Sequence, residues 1–226
     1  MTRVQKRQVR TRATLLKAAH ELMSNQGIDP TTIQQITAEA DVGFGTFYNY
    51  FQSKDEIAEK VLDCVIHNLG VRNRQANLDA GVTDPVAFIA FSVRLTAREM
   101  LTDPMWRWWL RRTDLMVRRM NFGFRTFGMA DMEAAQSAGV LDLPDANIEI
   151  TWSYLNWLLA GTVTDIIEGV APPEAEATMT QSIMRVMGVD PVLAAKVARA
   201  ELPPYPDLEV DFRFSVDDQF DKKVAS

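Results

Sequence analysis

The chain has 226 residues, of which 47% are apolar and 24% charged, and carries a formal net charge of −6. That length allows one or two domains with a sizeable core, and the composition excludes wholesale disorder. One cysteine, Cys64, and two histidines, His20 and His67, exclude a disulfide framework and a Cys/His zinc site, so no metal and no cofactor are expected.

The N-terminal MTRVQKRQVRTR lacks the apolar core of a secretory signal. The longest uncharged stretch, residues 150–164, is 15 residues long, short of the roughly 20 that a membrane-spanning helix needs. A cytoplasmic protein without a membrane partner is expected. The charge is uneven: Arg3, Lys6, Arg7, Arg10, Arg12 and Lys17 all fall before residue 18. A basic arm on an acidic body suits a local polyanion contact, although a solvated arm would look the same.

Residues 8–25 place Leu15, Ala18, Ala19, Leu22 and Met23 at helical spacing, and Gly27 stops the helix. After Asp29-Pro30, either Thr31 or Thr32 can cap a short helix to residue 40, each having a Gln three residues on. Asp41-Val42-Gly43 is a tight link, and a second short helix runs from Phe44 to Tyr50. Ser53-Lys54-Asp55-Glu56 is a capping box that opens a long helix to about residue 78. Further helices are expected over 84–101, 104–112, 114–137, 146–170, 173–187 and 191–202, with prolines near their starts and Gly139 and Gly188 past two of their ends. From Pro203 the pattern changes: Val210, Phe212, Phe214 and Val216 alternate with polar residues. That suits an extended arm on an apolar surface, or a frayed tail.

The span 31–51 reads as a helix-turn-helix. In that geometry the first helix crosses the DNA backbone and the second enters the major groove by its N-terminal end. Val42, Phe47 and Phe51 can face inward with Leu15, Ile33 and Ile36, leaving Gly43, Phe44, Thr46, Tyr48 and Asn49 for the groove. Enzyme signatures are missing: Gly43-Phe44-Gly45 has Tyr48 where a dinucleotide loop needs its third glycine, and no G-x-S-x-G, Walker A or H-E-x-x-H occurs. No catalysis is expected.

The run TTIQQITAEADVGFGTFYNYFQSKDEI, residues 31–57, resembles the tetracycline-repressor (TetR) family of bacterial transcription regulators. Thr32, Ile33, Ile36, Ala40, Val42, Gly45, Thr46, Tyr48, Tyr50, Phe51, Ser53 and Lys54 stand where that family places such residues, and ATLLKAAHELMSNQGID resembles its first helix. Two departures stand out. Gly43-Phe44 replaces the family's frequent Ser followed by Lys or Arg, and Asp41 replaces a Gly, so base preference does not carry over.

The resemblance implies an all-α protein in two parts. Residues 1–60 would hold the arm and a three-helix helix-turn-helix domain, with the motif at about 32–51. Residues 61–202 would form a helical effector and dimerisation domain, followed by an acidic, proline-containing tail over 203–226. The motif and the charge asymmetry together assign the DNA contact to Arg10, Arg12, Thr32, Gly43, Phe44, Thr46, Tyr48, Asn49 and Lys54, with double-stranded DNA and a palindromic operator as partner.

The stripe Met116, Met120, Phe124 and Phe127, near Trp106, Trp108 and Trp109, reads as bulky core or as the wall of a pocket. The family implies a pocket in the bundle. The residues expected around an apolar or aromatic effector are Phe88, Phe91, Trp108, Met116, Met120, Phe124 and Trp157, with Asn121 and Asn156 as a polar edge. Two half-sites need a two-fold protein, so a homodimer is expected. Its interface is assigned to Tyr154, Leu155, Leu158, Ile166, Ile183, Met184 and Met187. The whole reads as a ligand-responsive repressor; the alternative is a regulator or nucleoid-associated protein on the same fold, controlled by a protein partner.

Overall fold

The computed structural model describes residues 2–143 and 147–215. Among them are eleven helices and no strand: α1 (Arg3–Gln26), α2 (Ile33–Glu39), α3 (Phe44–Phe47), α4 (Lys54–Asp79), α5 (Pro85–Thr102), α6 (Pro104–Leu110), α7 (Thr113–Gly123), α8 (Arg125–Ser137), α9 (Ile148–Ile167), α10 (Ala175–Val186) and α11 (Pro191–Arg199). None is long and apolar enough to cross a membrane. Ala146 and Val216 lie outside the described residues.

Local chemistry sets most of the helix starts. Asp84, Asp103 and Asp190 each accept a hydrogen bond from a first-turn N–H, and each is followed by a proline. Proline there has no N–H to waste and already holds the helical φ. Thr2 does the same for α1: its hydroxyl accepts from the Gln5 N–H at 3.2 Å, and the Gln5 side chain accepts from the Thr2 N–H at 2.7 Å. This cap corrects the expected start near residue 8. The basic segment forms the exposed first turns of α1 and is not a loose arm.

A second correction concerns residues 114–137, which are two helices parted at Phe124 and not one. Gly123 is a poor helix former, by about 1 kcal/mol against Ala, and the Phe124 ring turns into a cavity wall described below.

The chain divides into two compact units, Met1–Asn68 with Glu209–Ser226, and Leu69–Leu208. In the first, α1 packs on α2 and α2 on α3, around Leu15, Leu16, Ala19, Met23, Ile36, Phe47 and Phe51, all at most 2% exposed. Each of these side chains larger than Ala contributes roughly 1.5–3 kcal/mol of burial. Residues 61–66 of α4 are buried one after another, so this helix is covered on every side. Part of that cover is the C-terminal segment. Asn68 Nδ2 donates to the Glu209 carbonyl at 3.1 Å and the Cys64 thiol to the Phe214 carbonyl at 3.6 Å. The Phe214 ring stacks on His67 at 3.9 Å, and Phe212 meets His20 at 5.3 Å. Burial pushes the Cys64 thiol up to about 12, which leaves almost no reactive thiolate at neutral pH.

In the second unit α5 is the hub, contacting α6, α8, α9, α10 and α11. Arg94, 6% exposed, donates to Glu176 of α10 at 2.8 Å, and Arg98 donates to the same carboxylate at 3.0 Å. The chain after α11 continues along this unit, where the Arg72 guanidinium lies 4.0 Å over the Tyr205 ring and donates to the Pro206 carbonyl at 2.9 Å.

The segment 209–215 is therefore expected to act as structure. Phe212→Ala should cost about 3 kcal/mol in a chemical melt of the whole chain; an unchanged midpoint would mean the ring is dispensable. Burial lowers the His67 pKa below its usual 6.5, against an opposing pull from Asp211. The unfolded chain then takes up that proton first. Stability is full above the usual value of 6.5 and falls as the pH drops below it. His67→Gln should flatten that part of the stability profile.

Candidate functional site

Two features stand apart from ordinary packing, one in each unit. In the first unit, the Thr32 hydroxyl caps α2 by accepting from the Gln35 N–H at 3.2 Å, and Gln35 Oε1 accepts from the Thr32 N–H at 2.9 Å. The helix ends with Asp41 at φ +51°. There the Val42 N–H reaches the Thr37 carbonyl at 3.0 Å and the Asp41 N–H reaches Ala38 at 3.2 Å, the pattern of a Schellman stop. Asp fills the left-handed position that Gly would otherwise hold.

The chain then enters α3, which is shorter than the expected Phe44–Tyr50. Regular helix ends at Phe47, and Tyr48–Tyr50 continue as turns, with Asn49 and Tyr50 N–H groups bonded three residues back. Phe47 and Phe51 are buried as expected, while Ile33 and Val42 are only half-buried. Gly43, Phe44, Tyr48 and Asn49 are exposed and Thr46 is half-buried. Phe44 and Tyr48 are 54% and 52% exposed and touch edge to face at 5.7 Å. Two large rings held together in water form an apolar tip that suits a partner surface. Arg10 is exposed; Arg12 is half-buried, its guanidinium 5.8 Å above the Phe51 ring.

Lys54 is differently placed from the other eight. Its ammonium donates to the carbonyls of Ile28 and Asp29 at 2.9 and 2.8 Å, so two of its three protons hold the α1–α2 loop just ahead of the Thr32 cap. Lys54→Ala is expected to lower the stability of the DNA-free protein by about 1–3 kcal/mol. A lysine whose sole partner was a phosphate would leave that melt unchanged.

The second feature is a cavity of ≈ 80 Å³ in unit Leu69–Leu208, walled by α4, α5, α7–α8 and α9. Its apolar wall includes Ile89, Val93, Phe124, Phe127, Met132, Trp152, Leu155 and Leu159; its polar wall includes Asn73, Arg74, Ser92, Thr96, Asp131 and Asn156. Two glycines make room for its rings. A Cβ on Gly70 would run into the Phe127 ring, and one on Gly128 into the Trp152 indole, both well inside van der Waals contact. Arg74 and Asp131 form an ion pair at 2.7 Å. Burial nevertheless pushes the Asp131 carboxyl above its usual range, with Arg74 opposing.

Of the residues expected around an effector, only Phe124 and Asn156 line this cavity. Asn121 stands behind it, its Oδ1 accepting from Asn156 Nδ2 at 2.9 Å. Met116 and Met120 are wholly buried in core packing, and Phe91 is 9% exposed without reaching the cavity. Trp108 is sandwiched between Trp109, edge-on at 4.7 Å, and the Arg112 guanidinium at 3.6 Å. Phe88 is half-buried, with Arg74 5.9 Å from its ring, and Trp157 is 48% exposed on α9. The stripe of the sequence divides: Met116 and Met120 supply bulk to the core, while Phe124 and Phe127 line the cavity. A better signal was available. Asn73 and Asn77, then Ser92 and Thr96, are polar residues four apart on otherwise apolar helix faces.

The residues assigned to the interface are divided between core and surface. Leu155, Ile183, Met184 and Met187 are at most 5% exposed within the single chain, because each helix turns its richest apolar face inward. Ile166 is half-buried. The apolar side chains that remain outward on α9 are Ile150, Tyr154, Trp157 and Leu158, with Gly161 open beside them. Among the described residues no cluster of His, Cys, Asp or Glu could hold a metal ion.

Residues 15–61 match the family of bacterial regulatory proteins called tetR, and residues 84–200 match the tetracyclin repressor-like C-terminal domain. The chain belongs to the TetR family. It is accordingly a DNA-binding transcription regulator and not an enzyme, and regulators of this family bind small molecules and act as dimers. No curated protein matches it by sequence. Among solved structures, RolR in complex with resorcinol aligns at a TM-score of 0.78, with 23% identity over 90% of this chain and 100% of RolR. RolR without ligand aligns at 0.77, with 21% identity over 86% of this chain and all of RolR. FadR from Bacillus subtilis, in complex with stearoyl-CoA, aligns at 0.54, with 15% identity over 79% of this chain and 97% of FadR. Identities this low show a shared fold.

The glycine contacts make a testable statement about the TetR cavity. Gly128→Ala should force Trp152 out of place, at a cost of about 1–3 kcal/mol for overpacking, with a changed tryptophan emission. A variant that melts and fluoresces like the wild type would show that the wall is slack.

Proposed function

We propose that this TetR regulator is a repressor that releases a palindromic operator when a small aromatic molecule enters the cavity of residues 69–208. Residues 1–60 serve as the DNA-binding domain and residues 61–202 as the effector and dimerisation domain. The observation that carries the reading is that one chain combines a helix-turn-helix with an exposed Phe44–Tyr48 tip and a ring-lined cavity. A volume of ≈ 80 Å³ is several times the 10–15 Å³ that one water needs. It suits a single ring of the size of the resorcinol held by RolR, and not an acyl chain like that of stearoyl-CoA held by FadR.

In this reading Gly43, Phe44, Thr46, Tyr48 and Asn49 face the groove, Thr32 and Arg10 meet phosphates, and Arg12 and Lys54 hold the reading surface in place. The effector shifts the DNA equilibrium only by its different affinity for the bound and released states. Helix α4 begins with Lys54 and carries Gly70, Asn73 and Arg74 further along, so one element serves both activities. Fluorescence anisotropy with selected DNA should show affinity falling by orders of magnitude between about 50 and 200 mM salt. Salt-independent binding, or no recovery of a two-fold sequence from a random pool, would overturn the proposal.

The outward apolar face of α9 is proposed as the dimer contact. Trp157→Glu should give a helical monomer by light scattering and circular dichroism. Met184→Glu should lose helix content, since it buries an unpaired charge inside one chain. A dimeric Trp157→Glu variant would move the interface elsewhere.

A further inference from the structure

The polar side chains of the cavity wall differ in what they have left to offer a guest. Asn73 is 4% exposed; its Nδ2 donates to the Ser92 carbonyl at 3.1 Å and to the Thr96 hydroxyl at 2.8 Å. The Ser92 carbonyl can only accept, and Thr96 already donates its own hydrogen to it at 2.9 Å. The amide therefore cannot be turned over, and Asn73 Oδ1 is left buried without a partner. Asn156, also 4% exposed, repeats the arrangement. Its Nδ2 donates to the Trp152 carbonyl at 3.0 Å and to Asn121 Oδ1 at 2.9 Å, which again fixes the amide and commits its nitrogen. The one lining cation, Arg74, is matched by Asp131. The wall thus offers carbonyl acceptors, and both amide nitrogens and the Thr96 hydroxyl are spent; the donors left are the Ser92 hydroxyl, which accepts from Asn77 at 3.2 Å, and those Arg74 N–H groups that do not go to Asp131.

We infer that the cavity selects a neutral single-ring molecule bearing hydroxyl or amino donors, with the Asn73 and Asn156 side-chain carbonyls as the residues that determine specificity. This rests on the reading of the cavity as an effector site and adds to it the sign of the hydrogen bonding. A guest without a donor leaves the buried Asn73 acceptor unsatisfied, and sites of that kind discriminate strongly against analogues lacking the group. An anionic guest would bring a charge that the wall does not neutralise, since Arg74 is already paired and the remaining acceptors repel it.

The test uses the full chain and three probes of similar size: phenol, toluene and benzoate, titrated by calorimetry and by tryptophan emission. Phenol differs from toluene by one hydroxyl in place of one methyl. Phenol is expected to bind at least tenfold tighter than toluene, and benzoate more weakly than phenol. Asn73→Leu and Asn156→Leu, each nearly isosteric, should erase or reverse the preference for phenol over toluene. The wild-type ranking tests the inference even if either variant does not fold. Toluene binding as tightly as phenol would overturn the donor requirement and leave the effector cavity standing. Benzoate binding more tightly than phenol would overturn neutrality alone. If none of the three rings binds, both the inference and the effector reading fall.

Discussion

Helix α4 is covered on every side over residues 61–66, and the first unit is arranged around that requirement. An amphipathic helix needs a partner on one face, whereas a helix apolar all round needs neighbours on all of them. Val61, Leu62, Val65 and Ile66 are buried, and the Cys64–His67–Asn68 side is closed by a chain segment from beyond residue 208. The segment that closes it has no regular structure of its own. Its backbone carbonyls are satisfied by α4 side chains and its rings by the two histidines, so its order depends on the helix as much as the helix depends on it.

The same economy governs the DNA-facing motif. Phe47 and Phe51 anchor a very short α3, and the loop that leads into α2 is tied down by the Lys54 ammonium. Anchoring from below leaves Phe44 and Tyr48 free to remain in water as an edge-to-face pair. A cation at the start of α3 would suit a phosphate; this chain places the exposed Phe44 ring there instead.

In the second unit, a cavity survives in a close-packed interior because its walls cannot collapse. Phe127 and Trp152 already lie against backbone at Gly70 and Gly128, and Asn73 and Asn156 are locked by backbone carbonyls. Rigid rings and fixed amides keep the space open, and Met132 is the one methionine on the wall. Met116 and Met120, which do fill core space, sit elsewhere.

The helical class, nearly every helix, the caps and the helix-turn-helix were legible in the sequence, because each depends on residues within one or two turns of each other. Thr32 with Gln35, the Asp-Pro helix starts and the Asp41 turn are local chemistry. The reach of α1 back to Arg3 was legible too, in Thr2 and Gln5, but the density of charge there masked it. What tertiary structure alone decided is which apolar face meets which. The stripe of Met116, Met120 and Phe124 has one period, yet the break after Gly123 sends Phe124 to a cavity and both methionines to the core. Likewise α9 is apolar all round, and only packing against α5, α7, α8 and α10 separates Leu155 inside from Trp157 outside. Periodicity records that a face is apolar; the neighbour that covers it comes from residues far away in the chain, which no local pattern encodes.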